Sequence, residues 1–182
     1  MLDTSKRMGS TIGNNVLEWW NALERAHAAR EVLPCCGSHV WAEVLVTRRP
    51  FASPKELFAA SDAVWRELPE RDWREAFDSH PRIGQQHVKT ATPESLNWSS
   101  QEQSAAMSPD EAVKEALAEA NRRYQEKFGR IFIVCASGRS AAEILAILER
   151  RMQNSADVEL REAAEQQRQI TQLRLRRWLG ME

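Results

Sequence analysis

The sequence predicts an all-α, single-domain bundle of about eight helices with one buried extended segment. Apolar residues recur at helical spacing along most of the chain, as in Leu17, Trp20 and Leu23, or Val113, Leu117, Ala120 and Tyr124. Two helix starts are written in the same form, serine, proline and then an acid, at Ser53-Pro54-Lys55-Glu56 and Ser108-Pro109-Asp110-Glu111. Against these signals stands a single β-like run, Ile131 to Ala136, and a lone strand has nothing to pair with.

Taken in order, Met1 to Gly13 is polar and glycine-containing and reads as a disordered or cloning-derived tail, with the helical domain occupying 14–182. Asn15, with Glu18 three residues on, predicts the start of a helix that Pro34 and Gly37 break. Ser38 caps a second helix through Trp41, Val44 and Leu45, ending before Pro50. The helix begun at Ser53 carries Leu57, Val64, Trp65 and Leu68. Pro69 separates it from a short helix around Trp73 and Phe77. Gln85 to Trp98 has no period, contains Thr92-Pro93, and reads as a loop or lid. A short helix is expected from Ser99. The helix begun at Ser108 stops at Phe128-Gly129. Another is capped by Ser140 with Glu143 and ends near Asn154. A long last helix then turns Leu160, Ala163, Ala164, Ile170 and Leu173 inward.

Composition narrows the function classes. With 182 residues, 42% hydrophobic and 28% charged, the chain is long enough to bury a real core. A formal net charge of −1 offers no electrostatic reason to expect nucleic acid or an anionic membrane as partner. No run approaches the roughly 18 apolar residues of a membrane span. Cys35, Cys36 and Cys135 have no C-x-x-C spacing and suggest reduced thiols in a cytosol-like compartment. Gly180-Met181-Glu182 is not a peroxisomal tripeptide, so a cytoplasmic location is expected. Trp19, Trp20, Trp41, Trp65 and Trp73 fall on apolar helix faces and read as core.

The stretch Asp78-Ser79-His80-Pro81-Arg82-Ile83-Gly84 carries the strongest chemical signal. Proline biases His80 away from helical backbone angles, and Gly84 allows a tight turn, so an imidazole is pinned between two breakers. Imidazole titrates near neutrality and suits proton transfer, although a His-Pro pair is also an ordinary helix stop. Glu102, three residues after Ser99, either closes a capping box or joins the first-turn N–H groups and hydroxyls in binding a polar small molecule. Ile131 to Ala136 is either plain core or unpaired extended backbone that a flat, ureide-rich heterocycle could satisfy. Arg174 lies four residues after Ile170, on or beside a buried face, where a guanidinium either snorkels or binds a carboxylate. Arg139 is a weaker candidate. His80 and His87 have no ligand-like spacing, so no metal is expected, and no phosphate loop or nucleophile elbow appears.

These pieces occur together in one known order. His80-Pro81-Arg82-Ile83-Gly84, then Ser100-Gln101-Glu102-Gln103, then the run from Asn121 to Gly129, then Phe132 to Arg139, then Ile170-Thr171-Gln172-Leu173-Arg174-Leu175 resemble the OHCU decarboxylases (2-oxo-4-hydroxy-4-carboxy-5-ureidoimidazoline decarboxylases) of uric acid breakdown. Trp41-Ala42 and Arg49-Pro50-Phe51 also fit, and the resemblance covers Asn15 to Trp178.

The resemblance implies an all-α, homodimeric enzyme without metal or organic cofactor that converts OHCU, a small-molecule ureide, to (S)-allantoin and CO2. It implies His80 as catalytic acid/base and Glu102 as its carboxylate partner. It implies substrate contacts from Pro81, from Ser99, Ser100, Gln101 and Gln103, from Phe132, Ile133, Val134, Cys135 and Ala136, and from Arg174. Two other functions compete on the residues alone: a hydrolase or lyase of a related ureide, and a non-catalytic ligand-binding module.

Overall fold

The computed structural model describes residues 4–81, 92–102 and 110–181. Among them the chain forms nine helices and no strand: α1 (Thr4–Ala22), α2 (Arg25–Cys36), α3 (His39–Thr47), α4 (Pro54–Glu67), α5 (Glu70–Asp78), α6 (Pro93–Glu102), α7 (Glu111–Phe128), α8 (Ala141–Arg151) and α9 (Ala156–Trp178). The all-α class is as expected. The chain divides into two compact units, 1–73 with 168–182, and 74–167.

In the first unit α2 packs on α3, and α4 on both α3 and α1. Leu17, Leu45, Leu57 and Leu175 are sealed in its core, each worth roughly 1.5–3 kcal/mol of transfer free energy. Trp20 is fully buried and stacks near Phe51, meets Trp178 edge-on, and donates its indole N–H to the Ala28 carbonyl at 2.9 Å. Trp19 is an exception to the core expectation, being 47% exposed.

Several helix starts are as the sequence writes them. The Ser38 hydroxyl accepts the Trp41 N–H, and the Ser53 hydroxyl accepts that of Glu56. The Ser140–Glu143 capping box is complete in both directions.

Other starts differ. One helix was expected from Asn15 to Pro34, but α1 begins at Thr4, within the expected tail, and stops at Ala22. Glu24 then caps α2, its carboxylate accepting the N–H groups of Ala26 and His27. Both hydrogen bonds hold that carboxyl below its usual range. Pro34 lies within α2, two residues from its end, and Gly37 supplies the left-handed cap at φ 88°. The cap of α7 is Asp110, whose carboxylate accepts the Ala112 N–H at 2.9 Å; Ser108 and Pro109 lie outside the described residues.

The second unit has its core between α7 and α8, where Tyr124, Phe128, Phe132, Ile144 and Leu148 pack together. Tyr124 lies 4.7 Å from Phe128 and 5.1 Å from Phe132, ring centre to ring centre. On α9, Leu160 and Leu173 are only half-buried, whereas Glu159, Gln167, Thr171 and Arg174 are buried. The inward face of that helix is therefore more polar than its apolar spacing suggested.

Candidate active site

Helix α5 hands the chain to His80 through a tightened last turn. The Ser79 N–H donates to the Ala76 carbonyl at 3.2 Å and the His80 N–H to the Phe77 carbonyl at 3.0 Å, both three-residue steps. The Ser79 hydroxyl also bonds Ala76 O at 2.7 Å. Pro81 follows and cannot donate to the ladder, so the helix ends here. His80 is 8% exposed and Pro81 is buried, so the imidazole is held inside the second unit. Arg82, Ile83 and Gly84 lie outside the described residues.

Glu102 reaches the same unit by a different route from the one expected. Helix α6 begins at Pro93, where a loop was expected, with the Thr92 hydroxyl accepting the Ser95 N–H at 3.2 Å. Thr92-Pro93-Glu94 is thus a third cap–proline–acid start. Ser99, Ser100, Gln101 and Glu102 accordingly form the end of a helix, not its first turn. Both earlier readings of Glu102, the capping box and the donor-rich helix start, fall with that correction. What remains is a face: Ser99 and Glu102, three residues apart, are 3% and 7% exposed, while Ser100 and Gln101 are exposed. Gln103 lies outside the described residues.

Ile131 to Ala136 is irregular chain between α7 and α8, and Phe132, Ile133, Val134 and Ala136 are buried. Its main chain is held by side chains. Arg151 donates from an Nη to the Ile133 carbonyl at 2.8 Å, Gln166 accepts the Cys135 N–H at 3.0 Å, and Arg139 donates from Nε to the Cys135 carbonyl at 3.1 Å. Arg151 also lies over the Phe132 ring at 4.6 Å. No described residue pairs with the main chain of Phe132 or Val134. The segment is therefore partly paired, at Ile133, Cys135 and Ala136, and partly unpaired, at Phe132 and Val134, among the described residues.

Arg174 belongs to the first unit, is 1% exposed, and donates to the Pro34 carbonyl at 3.3 Å. A separate open cleft of about 470 Å³ in that unit is lined by Glu24, Arg30, His39 and Glu43, and contains none of the predicted site residues. Among the described residues, no group of three His, Cys, Asp or Glu side chains is placed to hold a metal ion. No helix of these residues is long and apolar enough to cross a membrane.

Sequence reading missed Arg151, Gln166 and the buried carboxylate behind them. Glu159 accepts from Arg151 Nε at 2.9 Å and Asn154 Nδ2 at 2.8 Å, and from the Tyr124 hydroxyl. Burial, and then the Glu159 hydrogen bond, push the Tyr124 phenol well above its ordinary pKa. The one available signal was a polar Gln166 falling between Ala163 and Ile170 at helical spacing.

Fold and site together define an all-α protein that buries an imidazole and a carboxylate in one unit, equipment suited to acid–base chemistry. The OHCU decarboxylase family model matches residues 21–176. The chain belongs to the OHCU decarboxylase family. It is 40% identical over 142 residues to the uric acid degradation bifunctional protein TTL of Arabidopsis thaliana, a match covering 78% of this chain and 44% of that protein. It is 28% identical to a 2-oxo-4-hydroxy-4-carboxy-5-ureidoimidazoline decarboxylase of Haloferax volcanii, over 74% of this chain and 77% of that one. A crystal structure of OHCU decarboxylase in the presence of (S)-allantoin superposes with a TM-score of 0.71 at 38% identity, covering 82% of this chain and 97% of that chain. The chain thus spans less than half the length of its Arabidopsis relative.

Proposed function

We propose that this chain decarboxylates OHCU to (S)-allantoin and CO2 in urate catabolism, with His80 and Glu102 as the acid–base pair. The observation that carries the reading is that both side chains, His80 just past the end of α5 and Glu102 at the end of α6, are more than nine-tenths buried in the same unit as the main chain of Phe132 and Val134, which has no partner among the described residues. Desolvated charges and dipoles act more strongly than the same groups in water, which is what a site stabilising a transient charge requires.

The chemistry needs no electron sink beyond the substrate. The carboxylate leaves as CO2 from the hydroxyl-bearing carbon, and its bonding pair forms a C=C bond to the neighbouring carbon. The C=N pair moves onto nitrogen, which takes a proton. The resulting enol then loses its hydroxyl proton and gains one at the neighbouring carbon, giving allantoin. Delivery from one face fixes the hand of the product. His80 would meet the hydroxyl and carboxylate side of the ring, and Glu102 the hydroxyl or ureido group, each moving protons. Pro81 and Ser99 would shape the pocket, and Ser100, Gln101 and Gln103 are further contacts carried by the resemblance. Main-chain N–H and C=O groups within Phe132 to Ala136 would pair with the ureide, and Arg174, a guanidinium suited to bidentate carboxylate binding, is a further contact carried by the resemblance alone. A homodimer, a cytoplasmic setting and independence from metal and organic cofactors complete the reading.

OHCU decays spontaneously to racemic allantoin, so rate alone is a poor test. Circular dichroism of the product formed from fresh OHCU is decisive: an excess of one enantiomer, undiminished by chelator, is expected. A racemic product at the uncatalysed rate overturns the proposal.

A further inference from the structure

Three side chains hold the segment Ile131 to Ala136, and they do so at two residues. Arg151 takes Ile133 O, Gln166 takes Cys135 N, and Arg139 takes Cys135 O. The Arg139 N–H then closes the C-terminal end of the segment on the Ala136 carbonyl at 3.0 Å. The main chain of Phe132 and Val134, beside these anchors, is left without partners among the described residues and forms the edge open to a ligand.

Gln166 is the most informative member of the clamp. Its amide could in principle sit either way round, and only one way suits an N–H donor. Glu162, one turn earlier on α9, settles the choice. The Gln166 Nε2 donates to Glu162 Oε1 at 3.1 Å, which turns Oε1 toward the Cys135 N–H. A chain of Glu162, Gln166 and Cys135 therefore sets the height of the segment from outside it. Gln166 is only half-buried and lies outside the packed cluster of α7 and α8, so replacing it spares that core.

We infer that Gln166, oriented by Glu162, is a positioning residue that holds the Phe132–Val134 main-chain edge at the height where a ureide N–H/C=O pair can dock. It touches the segment, not the substrate. The inference rests on the proposed ureide chemistry of this site. Contacts of this kind hold ground state and transition state alike, so their loss raises KM and spares kcat. A merely structural role would instead lower the active fraction at unchanged KM.

The test is steady-state decarboxylation of OHCU by the full chain, with product handedness followed by circular dichroism. Gln166→Leu should raise KM by about tenfold while kcat stays within about threefold. Glu162→Ala, which frees the amide to rotate, should shift KM the same way by a smaller factor and serves if Gln166→Leu does not fold. The double variant Gln166→Glu, Glu162→Gln exchanges the donor and acceptor ends of the same hydrogen-bond chain and should bring KM back toward wild type. Unchanged KM in Gln166→Leu, or in Glu162→Ala where it stands in, overturns the inference, as does failure of the exchange to rescue. Either result leaves the proposed reaction standing if wild type still makes one enantiomer. A wild-type chain that yields only racemate defeats the reaction itself, and the positioning role with it.

Discussion

Arg151 and Glu159 form an ion pair closed off from solvent, with Nε 2.9 Å from Oε1 and side-chain exposures of 1% and 0%. The pair joins the last residue of α8 to the first turns of α9. The same guanidinium reaches back to the Ile133 carbonyl, so one charge ties two helices to the segment proposed to receive substrate. Burying two charges is costly, and their attraction offsets that cost only while both are present. Arg151→Met should therefore lower stability by about 3–5 kcal/mol, because it strands the carboxylate of Glu159. Denaturant unfolding of the variant checks the figure. A loss below about 1 kcal/mol would mean that Tyr124 and Asn154 alone satisfy Glu159.

Part of this architecture was legible from the chain and part was not, for local reasons. Ser53-Pro54-Lys55-Glu56 and Ser140 with Glu143 are caps made within four residues, and both form as written. Thr92-Pro93 carries the same signal but reads as a breaker in sequence, because proline at the first helical position and proline in a loop look alike without their neighbours. Glu24 gives no such signal, since glutamate lies outside the usual capping set, yet its carboxylate caps α2 in the same way. Residue type and resemblance single out His80 and Glu102, and both are buried in the second unit, although Glu102 ends its helix instead of opening it. The clamp was not legible at all. Ile133 and Arg151 are eighteen residues apart, and Cys135 and Gln166 thirty-one, so no local period connects them.

Tyr124 is the chain's one tyrosine, which makes its titration separately observable. Burial, with the carboxylate of Glu159 beside it, raises the folded phenol's pKa above the unfolded value of about 10. Above that pH the unfolded chain loses its proton first, so the folded state is penalised as pH rises. Stability should be flat in this respect below about pH 10 and fall by up to about 1.4 kcal/mol per pH unit above it. Tyr124→Phe should remove that alkaline slope while costing about 1.5–3 kcal/mol at neutral pH through the lost hydrogen bond. Phenolate absorbance in the native protein, paired with unfolding curves on both sides of pH 10, measures the shift and its consequence together. A native phenol that ionises at its ordinary pH would contradict the prediction.

Arg130 is 6% exposed, and its Nε and one Nη are buried without a hydrogen-bond partner among the described residues. Its direct contacts are a weak bond to the Phe128 carbonyl at 3.4 Å and the face of the Phe128 ring at 5.5 Å, with the Tyr124 phenol near enough to feel its charge. Unsatisfied buried donors cost more than these contacts return, and methionine fills similar space with no donors to satisfy. Arg130→Met should raise stability by about 1 kcal/mol, visible as a higher Tm. A clear fall in Tm would show that the guanidinium has a favourable role beyond those two contacts.

His80 and Glu102 set the final prediction, because burial and chemistry make opposite demands on them. A structural histidine or glutamate, buried to 8% and 7% exposure, should be missed by the fold when removed. A catalytic one should be missed by the reaction, since active-site groups are commonly retained at some expense of stability. We therefore expect His80→Ala and Glu102→Ala each to reduce OHCU turnover by about 10²–10⁴-fold, the range of positioned acid–base catalysis. Their Tm values should change little, and the residual product should lose its enantiomeric excess. Comparing turnover, handedness and Tm in the same preparations separates the two demands. Wild-type rates in both variants would remove these side chains from the reaction, whatever their stability.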